Sequence, residues 1–230
     1  MRQEVETLST RRALIKNGAV LGAALLAPGA VTAAVDKRLT SRDLLPTTPP
    51  LRAPAQAVTS PRVVRPELMR RALAALDRHG ASVKRDRMAV VDFAARSAEA
   101  RFHFVDLRDG RSTSMRVAHG SGSDPSHTGW LKRFSNEHGS NASCEGAFLC
   151  SDYYHGKHGK SQRLVGLDPT NNNALGRAIV IHGAWYANPD MVRTHGMLGR
   201  SQGCFAVGES ELAEVFRRLG EGRMIYAAKI

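Results

Sequence analysis

Cys204 and His182 carry the chemistry that is easiest to read from this chain. A thiol attacks only as the thiolate, so a nearby base must take its proton. Ala178-Ile179-Val180-Ile181 is an apolar, partly β-branched run, read as a buried strand that delivers His182 at its end. Cys204 follows Gly199-Arg200-Ser201-Gln202-Gly203. With no side chain at Gly203, backbone N–H groups have open access to a developing oxyanion. The two residues are 22 apart, enough for a loop that brings the Cys back beside the His. Residue types alone leave two readings open: a Cys–His pair, or a buried Cys and a satisfied core His.

The elements that must position them are mostly strands. Met88–Phe93, Arg101–Leu107, Thr113–Ala118, Gly146–Leu149, Ser161–Leu167 and Arg223–Ala228 all read as strands, and Asp109-Gly110 is a hairpin signal. Leu68, Met69, Ala72, Leu73 and Leu76 recur at helical spacing after Pro66, which predicts a helix over 66–79 closed near Gly80. Leu212, Val215, Phe216 and Leu219 form a second stripe that stops at Gly220. His119 to Asn141, rich in Gly, Ser, His and Asn, reads as loops, and loops carry sites. Many strands with two flanking helices imply a mostly-β domain, a sandwich or half-open barrel, over residues 66–230.

What precedes this domain is of another kind. Arg11-Arg12 stands before a mild apolar run from Gly18 to Ala27, too short to span a bilayer, and Ala30-Val31-Thr32-Ala33-Ala34 offers a small-residue cleavage site. Residues 1–34 therefore resemble a twin-arginine signal peptide, which implies export to the periplasm. Residues 35–65 hold five of the ten prolines and read as an extended tether.

Of the formal net charge of +12, about +10 lies after the leader, which suits an acidic polymer or envelope surface. No RNP-like run, zinc-finger spacing or Arg-rich helix points to nucleic acid. His155 and His158 have possible ligand spacing but no accompanying HExxH or CxxC frame, so neither a metal nor another cofactor is expected. Cys144 and Cys150, six apart, are close enough to pair across a turn or to stay as thiols, and either way Cys204 is left single.

The strand-His-Gly segment followed by Arg-Ser-Gln-Gly-Cys resembles the active-site signature of the L,D-transpeptidases, and more particularly the murein L,D-transpeptidase catalytic-domain branch. The wider run agrees: Arg133-Phe134-Ser135-Asn136, Gly139-Ser140-Asn141, Tyr154-His155-Gly156-Lys157-His158-Gly159, Leu164-Val165-Gly166-Leu167 and Arg177-Ala178-Ile179-Val180-Ile181-His182-Gly183-Ala184. The likeness covers about residues 88–228.

The resemblance implies that Cys204 attacks a diaminopimelate carbonyl in a peptidoglycan stem peptide, with His182 as base and the Gly183 carbonyl orienting it. It also implies that the Gly203 and Cys204 amides form the oxyanion hole, and that Tyr154 and His158 line the cleft. Trp185 and Tyr186 either flank the acyl site or pack the loop, and Ser201 either steadies the nucleophile loop or caps a turn. The acceptor is a second stem, a wall-attached lipoprotein, a free D-amino acid or water. This chain departs from the family pattern at two points. Gln202 stands where a second His is usual, and Phe205-Ala206-Val207 lacks the usual Arg, which leaves Arg200 to meet a substrate carboxylate.

Two other readings use the same residues. In a cysteine peptidase or amidase of the NlpC type the Cys precedes the His, the reverse of the order here. A non-catalytic wall-binding protein that kept the fold would have no need of a reactive Cys204.

Overall fold

The computed structural model describes residues 64–230, so the leader and all but the last two residues of the tether lie outside the described residues. Pro66–Arg78 form helix α1, begun by a proline whose missing N–H costs nothing in a first turn. Its buried stripe is Leu68, Ala72, Ala75 and Leu76. These four pack with Met88, Val90, Val105 and Met224.

Eight strands make one sheet: β1 (Arg87–Asp92), β2 (Phe102–Asp106), β3 (Ser112–Met115), β4 (Gly146–Gly156), β5 (Gly159–Gly166), β6 (Val180–Gly183), β7 (Phe205–Val207) and β8 (Met224–Ala228). Their order is β3-β2-β1-β8-β4-β5-β6-β7. Strand β1 is buried on both faces, which is why Met88–Val91 is a continuous apolar run. Val90 faces the α1 cluster, while Ala89 and Val91 face the main core with Phe102, Phe148, Phe205 and Ile225. Helix α3 (Leu212–Leu219) closes that core with Val215, Phe216 and Leu219. Beyond the end of β3, Ala118 bridges Ala206 and Gly120 bridges Ser201. These bridges tie the segment after β3 to β7 and the Ser201 loop, across a sheet that is otherwise open, and the domain is mostly β as expected.

Strands β6 and β7 run parallel, with Ile181 opposite Phe205, His182 opposite Ala206 and Gly183 opposite Val207. Parallel neighbours need a crossover of a dozen or more residues. Here it runs through a 3-10 turn at Trp185–Ala187 and helix α2 (Pro189–His195). This crossover accounts for the spacing between His182 and Cys204.

Two elements depart from the sequence expectation. Strand β4 continues past Leu149 to Gly156 through an irregularity between Cys150 and Tyr153. Its outer half is part exposed and part half-buried, and carries no apolar alternation to read. Helix α2 buries none of its residues and shows no stripe. Of the two states left open for Cys144 and Cys150, the structure has free thiols, both buried.

The 119–141 segment is loop apart from a 3-10 turn at Ser121–Ser123, and it is held by a buried polar network. Arg101 and Asp124 are fully buried and His119 is 1% exposed. Arg101 donates through Nε and Nη2 to the Val117 carbonyl (3.1 and 2.8 Å), through Nη1 to the Ala95 carbonyl (2.9 Å), and through Nη2 to His119 Nδ1 (2.7 Å). His119 Nε2 faces Asp124 Oδ2 at 3.4 Å. The same carboxylate accepts from the Thr128 and Gly129 amides at 3.0 and 2.8 Å. Burial alone would raise the Asp124 carboxyl, but those amides outweigh it and hold it below the ordinary carboxylate range.

Burial, and then the Arg101 charge, push His119 down to about 4. An unfolded His119 takes its proton near the ordinary 6.5, so between those values the unfolded chain binds more protons. Stability is therefore expected to fall as pH drops from 6.5 toward 4, by about 3 kcal/mol at most. Urea denaturation at stepped pH checks this, and His119→Asn is expected to flatten the slope.

Candidate active site

Strand β6 presents His182 between Ser161 of β5 and Ala206 of β7. Cys204 stands one residue before β7, at the end of the bend that follows Gly203. Both line one cleft of about 390 Å³. His182 Nδ1 lies 2.9 Å from the Gly183 carbonyl, so Nδ1–H donates there and Nε2 is free to take a proton.

The Cys204 thiol points to the Ala178 carbonyl at 3.5 Å, and among the described residues no hydrogen bond joins it to His182. Ala178 has φ +54°, a left-handed backbone that an alanine rarely takes, at the entrance to β6. Burial raises the Cys204 pKa against the pull of the Val180 amide, Lys157 and Arg177. Burial lowers that of His182, the Gly183 bond opposing and His158 and Lys157 adding to it. The resting pair is therefore a neutral thiol beside a neutral imidazole.

The loop before the thiol is tied down by Ser201. Its hydroxyl donates to the Cys204 carbonyl at 2.7 Å and accepts from the Gly203 amide at 3.1 Å. The Gly203 amide is thus occupied, which corrects its expected place in an oxyanion hole. With φ at +111°, Gly203 turns its N–H inward to Ser201. The Cys204 amide makes no backbone bond among the described residues and is the donor that remains. A Cβ at Gly203 would come within 2.7 Å of the Ala142 carbonyl, so glycine is required for close approach as well as for conformation.

Arg200, Ser201, Gln202, Tyr154 and His158 all line the cleft. Arg200 spends one terminal nitrogen on the Asp124 and Pro125 carbonyls, which leaves Nε and the other terminal nitrogen without a partner among the described residues. His158, at the tip of the β4–β5 hairpin, stacks its ring on His182 with centroids 4.2 Å apart and planes 21° apart. Gln202 stands exposed at the rim.

Trp185 is 66% exposed and is not among the residues lining the cleft. The turn after β6 sends that indole outward and Tyr186 inward, edge-on to His182 at 6.5 Å. Two cleft cations were not assigned a role from the sequence. Lys157 shares the hairpin tip with His158, and the Gly156–Gly159 frame around it is its only sequence signal. Arg177 donates to the Ser135 and Ala142 carbonyls (2.7 and 2.6 Å) and to the Cys144 sulfur (2.7 Å), pinning the 135–144 loop beside Cys204. Among the described residues, no cluster of three or more His, Cys, Asp or Glu side chains is placed to hold a metal ion.

A thiol, a base with its proton-bearing nitrogen anchored, and a free backbone donor in one cleft form a site for acyl transfer. The chain belongs to the L,D-transpeptidase catalytic domain family, whose profile matches residues 61–228. Among solved structures it is similar to the L,D-transpeptidase from Mycobacterium smegmatis at 13% identity, covering 62% of this chain and 58% of that one, with a TM-score of 0.38. An L,D-transpeptidase from Mycobacterium tuberculosis matches at 12% identity over 63% of this chain and 58% of its own, TM-score 0.36. A variant of the Enterococcus faecium L,D-transpeptidase matches at 12% identity over 63% of this chain and 50% of its own, TM-score 0.37. The chain thus spans less than two thirds of these relatives' length. No curated protein matches it.

Proposed function

We propose that this protein is a peptidoglycan L,D-transpeptidase that acts through a thioester on Cys204. The observation that carries the proposal is the anchored His182, whose Nδ1–H is held by the Gly183 carbonyl while Nε2 is left in the cleft shared with Cys204. In this mechanism the thiol turns from Ala178 to His182. Nε2 takes the proton as sulfur attacks the diaminopimelate carbonyl at position three of a stem peptide. The Cys204 amide steadies the oxyanion. The C–N bond to the terminal D-alanine breaks, and D-alanine leaves with the proton from the imidazolium. An acceptor amine then attacks the thioester, gives its proton to Nε2, and releases the thiol. A second stem or a lipoprotein lysine gives a cross-link, and water gives an L,D-carboxypeptidase.

Under this proposal the leader read over residues 1–34 places the protein in the periplasm. A wall-binding protein that kept the fold is the alternative favoured by Gln202 and by the neutral resting thiol. Mass spectrometry of the protein lacking that leader, incubated with a diaminopimelate tetrapeptide muropeptide, separates the two. Loss of D-alanine with an acyl adduct on Cys204 is the expected result. An intact muropeptide and an unmodified, folded protein would put the binding reading first.

Arg200 has donors to spare for a substrate carboxylate. Arg200→Ala is expected to cost about 10- to 100-fold in kcat/KM, the worth of a charge-assisted hydrogen bond. Steady-state D-alanine release measures it, and an unchanged value would remove Arg200 from the site.

A further inference from the structure

Strands β4 and β5 meet in a tight turn, Lys157-His158, with Gly156 opposite Gly159 as the last pair. Gly159 takes the left-handed φ of +71° with open space around it, so the turn asks glycine for its backbone and not for room. Both turn residues line the cleft, and one of them touches the base. The His158 ring lies against the His182 ring, centroids 4.2 Å apart and planes 21° apart. His182 is 1% exposed whereas His158 is exposed, so an exposed ring covers a buried one.

The hydrogen bond to the Gly183 carbonyl fixes one atom of the imidazole, Nδ1. A single hydrogen bond leaves the ring plane free to pivot about it, and Nε2 swings with that plane. Proton transfer from sulfur to Nε2 needs the plane held. Tyr186 meets the ring at 75° with centroids 6.5 Å apart, too distant to keep it flat. The near-parallel His158 ring is the closer of the two.

We propose that His158 is a positioning residue, whose ring holds the plane of the His182 imidazole so that Nε2 stays aimed into the cleft. Its catalytic consequence rests on the thioester mechanism above, whereas the clamp itself rests on the stacked geometry. A neutral ring face also suits the moment when His182 carries the thiol proton, because an imidazolium is attracted to such a face. A protonated His158 would repel it. The other charged and titratable groups of the cleft are Lys157, Arg177, Tyr186, Arg200 and Cys204, and among the described residues no carboxylate lines it. Burial and the Lys157 charge both lower the His158 pKa from 6.5, which keeps that ring neutral at pH 7.

His158→Ala is expected to lower kcat for D-alanine release about 10- to 100-fold with KM little changed, and His158→Phe, which keeps a flat ring, to restore most of it. The acid limb of the pH profile gives a reading that a merely structural role would not order. In His158→Ala the imidazole gains water and loses a neighbouring charge, both of which raise its pKa, so the limb is expected to move up toward 6.5. In His158→Phe only the charge is lost, and the limb is expected to move less. Proton–nitrogen correlation spectra of the imidazoles need no turnover. The His182 ring protons are expected upfield, displaced by the His158 ring current, returning downfield in His158→Ala but not in His158→Phe. An unchanged kcat in His158→Ala, or His182 resonances that stay in place, overturns the clamp and leaves the transpeptidase reading standing. Resonances that shift in a protein that releases no D-alanine remove only the transpeptidase reading.

Discussion

Cys204→Ala is expected to abolish D-alanine release, and His182→Gln to lower kcat/KM by about 10²- to 10⁴-fold, the usual worth of a positioned general base. The first removes the thiol that the proposed mechanism requires. The second leaves a thiol that burial has made hard to ionise. Because the resting pair is neutral, the base is indispensable at neutral pH: no preformed thiolate stands in for it. The pH profile carries the same information. Burial lowers the His182 pKa from 6.5, so the imidazole stays unprotonated through neutral pH and activity is expected to fail only below 6.5. Burial raises the Cys204 pKa from 9.0, so alkylation by iodoacetamide is expected to climb with a midpoint above that value. In His182→Gln, turnover is expected to recover toward high pH as the thiol ionises unaided. A plateau of alkylation near pH 6 would instead reveal a thiolate–imidazolium pair and overturn the neutral assignment.

Arg101→Met is expected to destabilise the domain by about 3–5 kcal/mol, the cost of breaking a buried charge network from one side. For a domain of this size that is roughly 6–20 °C in Tm. The guanidinium fills a fully buried site, packs 5.0 Å over the Phe93 ring, and satisfies two carbonyls and His119. Methionine fills the volume but strands those acceptors, with Asp124 left buried beside them. Arg101→Lys keeps the charge and loses the fork, so it is expected to recover only part of the loss. Differential scanning calorimetry of the three proteins decides this, and a shift below 2 °C for Arg101→Met would show that the network contributes little.

The catalytic strand was legible because its signals are local. The apolar run up to Ile181 reads as buried, though the strand begins at Val180 and keeps His182 within it, 1% exposed, ending only at Gly183. Family resemblance then supplied the Gly183 carbonyl, and the 2.9 Å bond is there. The Arg101–His119–Asp124 network left no trace, because its members stand 18 and 5 residues apart in irregular segments where no period applies. Gly203 shows a different limit. Its type announced close backbone approach, but only the fold reveals that Ser201 takes its amide. Which of two neighbouring aromatics enters the cleft, Trp185 or Tyr186, turned on one short 3-10 turn whose phase the residues do not encode.

The state of the three sulfurs bears on the order of events in the protein's life. Cys144 and Cys150 are each 1% exposed, so once folded they are out of reach of oxidants and of each other's mispairing. A chain threaded unfolded into an oxidising compartment would offer three thiols, and any two could join, Cys204 included. A chain that folds first offers only Cys204. If the leader read over residues 1–34 exports the chain, folding before passage would keep Cys204, the proposed nucleophile, from being lost to a wrong partner.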